Sequence, residues 1–137
     1  MKQHFHRIWY ISIVIVSGLI LSVRASELKA WDYQRARIEG LFEAMDRTHL
    51  VFIRNGTVHD SQQAVAHLRM KLDRAQNSWF APNKEQWTAE MFIDKLASRS
   101  SFSGQPYLIR FVDGQQVEAG IWLYQQLAIY DDHNKSN

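Results

Sequence analysis

The sequence predicts an α+β fold, with two β-hairpins and about four helices in one small domain, preceded by an N-terminal signal helix. Two observations carry the strand half of that prediction. Leu50–Val58 and Tyr107–Glu118 are β-rich runs, and Asn55-Gly56 and Asp113-Gly114 interrupt them. Asn-Gly or Asp-Gly between such runs is the strongest short hairpin signal, because both positions tolerate positive φ. A third observation supplies the helices: elsewhere, apolar residues recur at three- and four-residue steps. A lone two-stranded hairpin is marginal in water, so the two hairpins are expected to share one antiparallel sheet covered by helices.

The first 25 residues read as an export signal. A basic start, Met1-Lys2 to Arg7, precedes Ile8–Val23, a run of 16 residues without a charged side chain. Val23 and Ala25 are small residues where a signal peptidase reads. A membrane-spanning helix needs about 20 predominantly apolar residues, and Ser12, Ser17, Gly18 and Ser22 dilute this shorter run. The expectation is a signal peptide over 1–25, a single α+β domain over 26–137, and a periplasmic location. The alternative is an uncleaved anchor facing the periplasm, with membrane contact only through residues 8–23. A buried core helix fits poorly, because Arg7 and Arg24 bracket the run.

Each element of the domain follows from its own pattern. From Ser26 to about Arg47, Trp31, Ile38, Leu41, Phe42 and Met45 mark one face of an amphipathic helix. Leu50–Arg54 and Thr57–His59 form the first hairpin. Asp60 or Ser61 caps a helix to about Gln76, with Val65, Leu68, Leu72 and Ala75 as its buried stripe. A loop from Asn77 to Trp87 follows. Thr88 caps a short helix through about Ser98, with Phe92, Ile93 and Leu96 inward. Ser100–Pro106 is turn chemistry. Tyr107–Val112 and Gln115–Glu118 form the second hairpin. A last helix spans about Gly120–Tyr130 on Trp122, Leu123 and Leu127, and the polar tail Asp131–Asn137 is expected to fray.

Composition removes several function classes. The chain has no cysteine, so thiol chemistry, disulfides and Cys-rich zinc sites are excluded, and the domain must fold by burial alone. The formal charge is +2, but Lys2, Arg7 and Arg24 depart with the signal. That leaves 13 basic residues against 14 acidic ones. A nearly neutral domain lacks the electrostatic footprint of a nucleic-acid binder, and equally the polybasic cluster of a membrane-surface protein.

Catalytic and metal signatures are missing from the sequence. His4 and His6 leave with the signal; His59 and His67 are eight apart, and His49 and His133 are isolated, so no metal is expected. There is neither a G-x-S-x-G elbow nor a phosphate-cradling glycine loop. Asp32, Glu39, Glu43 and Asp46 read as the solvated face of one helix. Asn55-Gly56-Thr57 matches a glycosylation acceptor, yet a hairpin turn explains it fully.

Two constellations remain. Arg99, Ser100, Ser101 and Ser103 set a guanidinium beside hydroxyls and turn amides, which can hold a carboxylate or phosphate. His67 and Lys71, four apart on the second helix, extend that candidate site. The structural alternative is that Arg99 caps carbonyls at its helix end while the serines satisfy their own backbone. Trp79, Phe80 and Trp87 form the other constellation, a partner contact patch if exposed and a lid on the core if folded inward. Arg54 and Arg110 occupy equivalent hairpin positions; they would face one ligand if the strands were adjacent, but such residues are more often solvated or paired with carboxylates.

Phe52-Ile53-Arg54-Asn55-Gly56, Ala66-His67-Leu68, Thr88-Ala89-Glu90 and the segment Ala97-Ser98-Arg99-Ser100-Ser101-Phe102-Ser103-Gly104-Gln105-Pro106-Tyr107 carry a resemblance. Over roughly Ile38–Leu127 the chain resembles a family of small exported proteobacterial proteins of unknown function (domain of unknown function family 5329). The resemblance implies a small exported, periplasmic domain and brings no activity, cofactor or catalytic residue with it. This chain departs from the pattern in lacking the cysteines some relatives carry and in its aromatic Trp79–Trp87 loop.

The expected function is therefore a non-enzymatic exported module that binds a protein or cell-envelope partner through the Trp79–Trp87 loop and the Arg99–Gly104 turn, without a cofactor. The alternative is a small anionic-ligand binder using that turn with His67. A hydrolase built on Ser101 or Ser103 with His67 is a third reading, and it requires a hydrogen bond from the serine to the histidine.

Overall fold

A computed structural model describes the backbone over residues 3–47 and 50–136, and side chains over 24–47 and 50–136. The side chains of residues 1–23, and residues 48, 49 and 137, lie outside the described residues, and with them most of the stretch expected to be an export signal. Helix α1 runs Gln3–Arg47 without a break. From Trp31 onward it carries the predicted apolar face, and Ile38, Leu41, Phe42 and Met45 are all buried. Among the residues whose side chains are described, no helix is long and apolar enough to cross a membrane.

Strands β1 (Val51–Arg54) and β2 (Thr57–His59) form the first hairpin. Asn55 has φ 51° and Gly56 φ 79°, the double positive φ that a tight two-residue turn demands. Helix α2 (Ser61–Gln76) begins at a capping box: Asp60 accepts from the Gln63 amide at 2.8 Å, and the Gln63 side chain accepts from the Asp60 amide at 3.3 Å. Only Leu68 of its predicted stripe is fully buried, whereas Val65, Leu72 and Ala75 are half-covered against the core.

Helix α3 (Ala89–Phe92) is capped by Thr88, whose hydroxyl accepts from the Met91 amide at 3.1 Å. It passes directly into a π-helical turn, Ile93–Ala97. That widening closes where the Ser98 amide and hydroxyl both donate to the Ile93 carbonyl, at 2.9 and 2.8 Å.

Strands β3 (Leu108–Arg110) and β4 (Gln116–Glu118) form the second hairpin. Pairing stops before Val112, because the chain turns at Phe111–Gly114 and leaves Val112 exposed. The four strands make one antiparallel sheet in the order β2-β1-β3-β4. The expected shared sheet is thus formed by direct pairing of β1 with β3, with Phe52 opposite Ile109 and Val51 opposite Arg110. Antiparallel pairing sends Arg54 and Arg110 to opposite ends of the seam, so the alternative in which both face one ligand does not hold.

Helix α4 (Ala119–Lys135) extends past the predicted end at Tyr130. The reason is Arg37, a buried guanidinium on α1. It donates to both Asp131 carboxylate oxygens at 2.9 and 2.8 Å, to Glu90 at 2.6 Å and to the Gln34 amide oxygen at 3.0 Å. Burial opposes the charge, but the bonds to Asp131 and Glu90 outweigh it and hold Arg37 firmly protonated. Asp131 is therefore a packed partner rather than part of a frayed tail. One residue earlier on α4, the Tyr130 ring lies against Gly40 of α1, where a Cβ would collide with it.

The core lies where these helices meet the sheet. Phe42 and Phe92 pack edge to face with centroids 5.0 Å apart, and Phe52 meets Trp122 at 6.5 Å. Each large apolar side chain removed from water this way contributes about 1.5–3 kcal/mol.

Candidate functional site

His67, Lys71 and Arg74 fall at i, i+4 and i+7 on α2, so they share one helix face. The sheet brings Arg54 to them. Arg54 stands two residues after buried Phe52 and so points to the same, helix-covered side of β1. The Ser98–Tyr107 segment forms the opposite wall, held by the bridge between Arg99 and Pro106 and by the Tyr107 amide donating to the Ser98 carbonyl at 2.9 Å. Between α2 and this segment runs a groove of about 630 Å³. Arg54, His67, Lys71 and Arg74 line it together with Asn55, Ser100, Ser101, Phe102 and Tyr107. No carboxylate lines it, and among the described residues none of these four groups is in a salt bridge.

The electrostatics register that crowding. Burial, then Arg54, lowers the Lys71 pKa below its ordinary value. His67 is lowered by burial first, then by the positive charge of Arg54, Lys71, His59 and Arg74. Burial raises the Tyr107 hydroxyl, against the pull of Arg54. One Arg54 Nη1 lies 3.0 Å from His67 Nδ1 and 2.8 Å from Nε2. A guanidinium only donates, and a neutral imidazole has one acceptor nitrogen, so a single hydrogen bond is formed there.

Lys71 also performs a structural task that the sequence suggested for Arg99. Its ammonium donates to the Leu96 carbonyl at 2.6 Å and lies 3.3 Å from both the Arg99 carbonyl and the Tyr107 hydroxyl. Lys71, not Arg99, thereby covers the carbonyls at the end of the π-turn. The Arg99 side chain is exposed and does not line the groove.

The serines divide. Ser100 is buried, and its hydroxyl oxygen accepts from the Asn55 side-chain amide and from the Phe102 and Ser103 amides, each at 3.3 Å. The Ser103 hydroxyl donates to the Asn55 side-chain oxygen, Oδ1, at 2.6 Å. The two therefore latch the serine turn onto the first hairpin. Ser101 stands exposed in the groove wall. Neither Ser101 nor Ser103 is hydrogen-bonded to His67, whose ring contact is Arg54.

Of the six residues expected to bind a ligand, the fold thus gathers His67, Lys71, Ser100 and Ser101 in one groove and leaves Arg99 and Ser103 outside it. Arg54, Asn55, Arg74 and Tyr107 complete the lining. Arg74 was open to detection from its helical spacing with Lys71. Arg54 was not, because only the sheet register sets it beside α2.

The aromatic loop also divides. Trp79 and Phe80 are 92 % and 93 % exposed, whereas Trp87 is 3 % exposed and belongs to the core. This corrects the expectation of a single three-residue patch. The turn Lys84–Gln86 folds the end of the loop inward and seats Trp87 immediately before α3.

Comparison with known proteins agrees with the resemblance. Residues 32–131 match the model of a family of unknown function (DUF5329). The chain is 41 % identical over 85 residues to the uncharacterised protein YfeK of Salmonella typhimurium. That match covers 58 % of this chain and 65 % of the relative, slightly under two thirds of its length. No solved structure matches. With the family model spanning α1 from Asp32 through to Asp131 of α4, the chain belongs to this family of unknown function.

Proposed function

We propose that the protein is a non-enzymatic binding module that holds a small anion, a carboxylate or a phosphate, in the groove between α2 and the Ser98–Tyr107 segment. The observation that carries this reading is the set Arg54, His67, Lys71 and Arg74 in a groove lined by no carboxylate. Like charges gathered without a counter-charge disfavour one another, and a bound anion removes that penalty through charge-assisted hydrogen bonds. Isothermal titration of the full-length chain with inorganic phosphate and with acetate tests it. Arg54→Gln and Arg74→Gln are each expected to weaken phosphate binding about tenfold or more, since a hydrogen bond to a charged group contributes roughly 1.5–3 kcal/mol. Among the described residues Arg74 has no ion pair, so Arg74→Gln separates ligand loss from misfolding. Heat-silent titrations with no shift in melting temperature would reject the reading.

A second reading keeps a protein or cell-envelope partner, favoured by the exposure of Trp79 and Phe80. Large aromatics at a surface are where association energy concentrates. We place either activity outside the cytoplasm, on the sequence grammar of residues 1–25.

A further inference from the structure

Beneath the groove, between the sheet and α2, lies a cavity of about 220 Å³. Met45, Phe52, Ala64, Leu68, Ala97 and Leu123 are among its apolar wall residues. Arg54, His67 and Tyr107 line both the cavity and the groove, so the apolar space meets the charged one across three polar side chains. The space is a half-open pocket rather than a sealed void, so a ligand entering from the cationic groove can reach its apolar wall.

A second, independent observation lies in the same wall. His59 is part of the cavity lining, and its Nε2 is buried with no hydrogen-bond partner. Buried polar atoms are nearly always satisfied. A largely apolar chamber whose wall also holds one unsatisfied nitrogen suits an apolar body that carries a polar substituent. Size agrees: an apolar cavity of about 150 Å³ accommodates benzene, so the larger space here accepts an aryl ring with a short chain.

We propose that the groove's anion is the head of an amphipathic ligand, with an aryl or short acyl body seated in the cavity and a carboxylate or phosphate held by Arg54 and Arg74, beside the charge of Lys71. This rests on the anion-binding reading above and adds the chemistry of the rest of the molecule. His59 then gives preference to a body bearing a hydroxyl.

The test compares five probes on the isotopically labelled full-length chain: acetate, inorganic phosphate, 3-phenylpropionate, 3-(4-hydroxyphenyl)propionate and phenyl phosphate. Binding is followed by titration calorimetry and by methyl chemical shifts. Burying a phenyl group corresponds to about ten- to hundredfold in affinity. The two phenylpropionates are expected to bind that much more tightly than acetate, with the hydroxylated one at least equal to its parent. Their binding should move the methyl signals of Leu68 and Leu123, which acetate leaves in place. Phenyl phosphate matching or exceeding 3-phenylpropionate would assign a phosphate head, and the reverse a carboxylate. Ala64→Met, which fills the cavity, should abolish the aryl advantage while phosphate still binds. Equal affinity for acetate and 3-phenylpropionate with silent Leu68 and Leu123 methyls would overturn the amphipathic ligand yet leave the anion site standing. Failure of all five probes would remove both.

Discussion

His67 illustrates how one side chain can be legible in the sequence while its chemistry is not. Its spacing from Lys71 is visible in the chain, but the guanidinium that faces it arrives from β1. The groups around its ring are Arg54 on β1, His59 on β2, and Lys71 and Arg74 on α2. All carry or acquire positive charge, and together with burial they lower its pKa below the ordinary 6.5. The unfolded chain therefore binds a proton near pH 6.5 that the folded protein refuses, and stability falls as the pH drops through that value. In chemical denaturation between pH 7.5 and 5.5, the wild-type midpoint is expected to fall, and His67→Gln to flatten the slope. Glu90 acts in a lower window. Burial would raise its carboxyl, but hydrogen bonds from Arg37, from its own backbone amide and from Thr88, with the charge of Arg37, together outweigh this and hold it below 4.5. Its contribution is present above that value and lost only in more acidic solution. The remaining site residues teach the same lesson. The turn Ser100–Ser103 was recognisable from composition, yet which hydroxyl would latch to Asn55 and which would stay free depends on where the first hairpin lies.

Helices and strands were easier to read than their ends or their neighbours. Both hairpins were evident because Asn55-Gly56 and Asp113-Gly114 are local signals that no distant contact has to supply. The caps at Asp60 and Thr88 were evident for the same reason. The end of α4 was not, because its last turns depend on Arg37 in α1. That residue lies beside Ile38 and four before Leu41, an apolar neighbourhood for a cation and the one hint that it is buried. It joins three helices through Glu90 of α3 and Asp131 of α4. Arg37→Ala would leave the mostly buried Asp131 carboxylate without its partner, and breaking a buried pair on one side costs about 3–5 kcal/mol. Urea denaturation should show a loss of that size. An exposed pair such as Arg47–Glu43 would show almost none when broken.

At the scale of the whole molecule, the α+β class and the shared antiparallel sheet followed from the pattern of segments. The strand order did not, since nothing local dictates that β1 rather than β2 pairs with β3. That choice sets Arg54 beside Tyr107 and α2 and so creates the groove. Arg54 and Arg110 look equivalent along the chain and end up apart for the same reason. Export is the molecular-scale proposal most directly checked: sequencing the amino terminus of protein recovered from the periplasm should read Ser-Glu-Leu-Lys from Ser26, and Met1 there would argue for retention of the leader.

The uninterrupted course of α1 bears on when that trimming could take place. Peptidases bind their substrates as extended strands, so scission after Ala25 would first require a few helical residues around it to unwind. Every residue from Arg24 to Ala30 is exposed, and half-buried Trp31 is the next residue along and packs against the core. Local melting there would leave the hydrophobic interior sealed, and the new amino group would emerge at a helix start already bathed in solvent. Maturation could therefore occur before or after the body has collapsed, with no refolding step between the two forms.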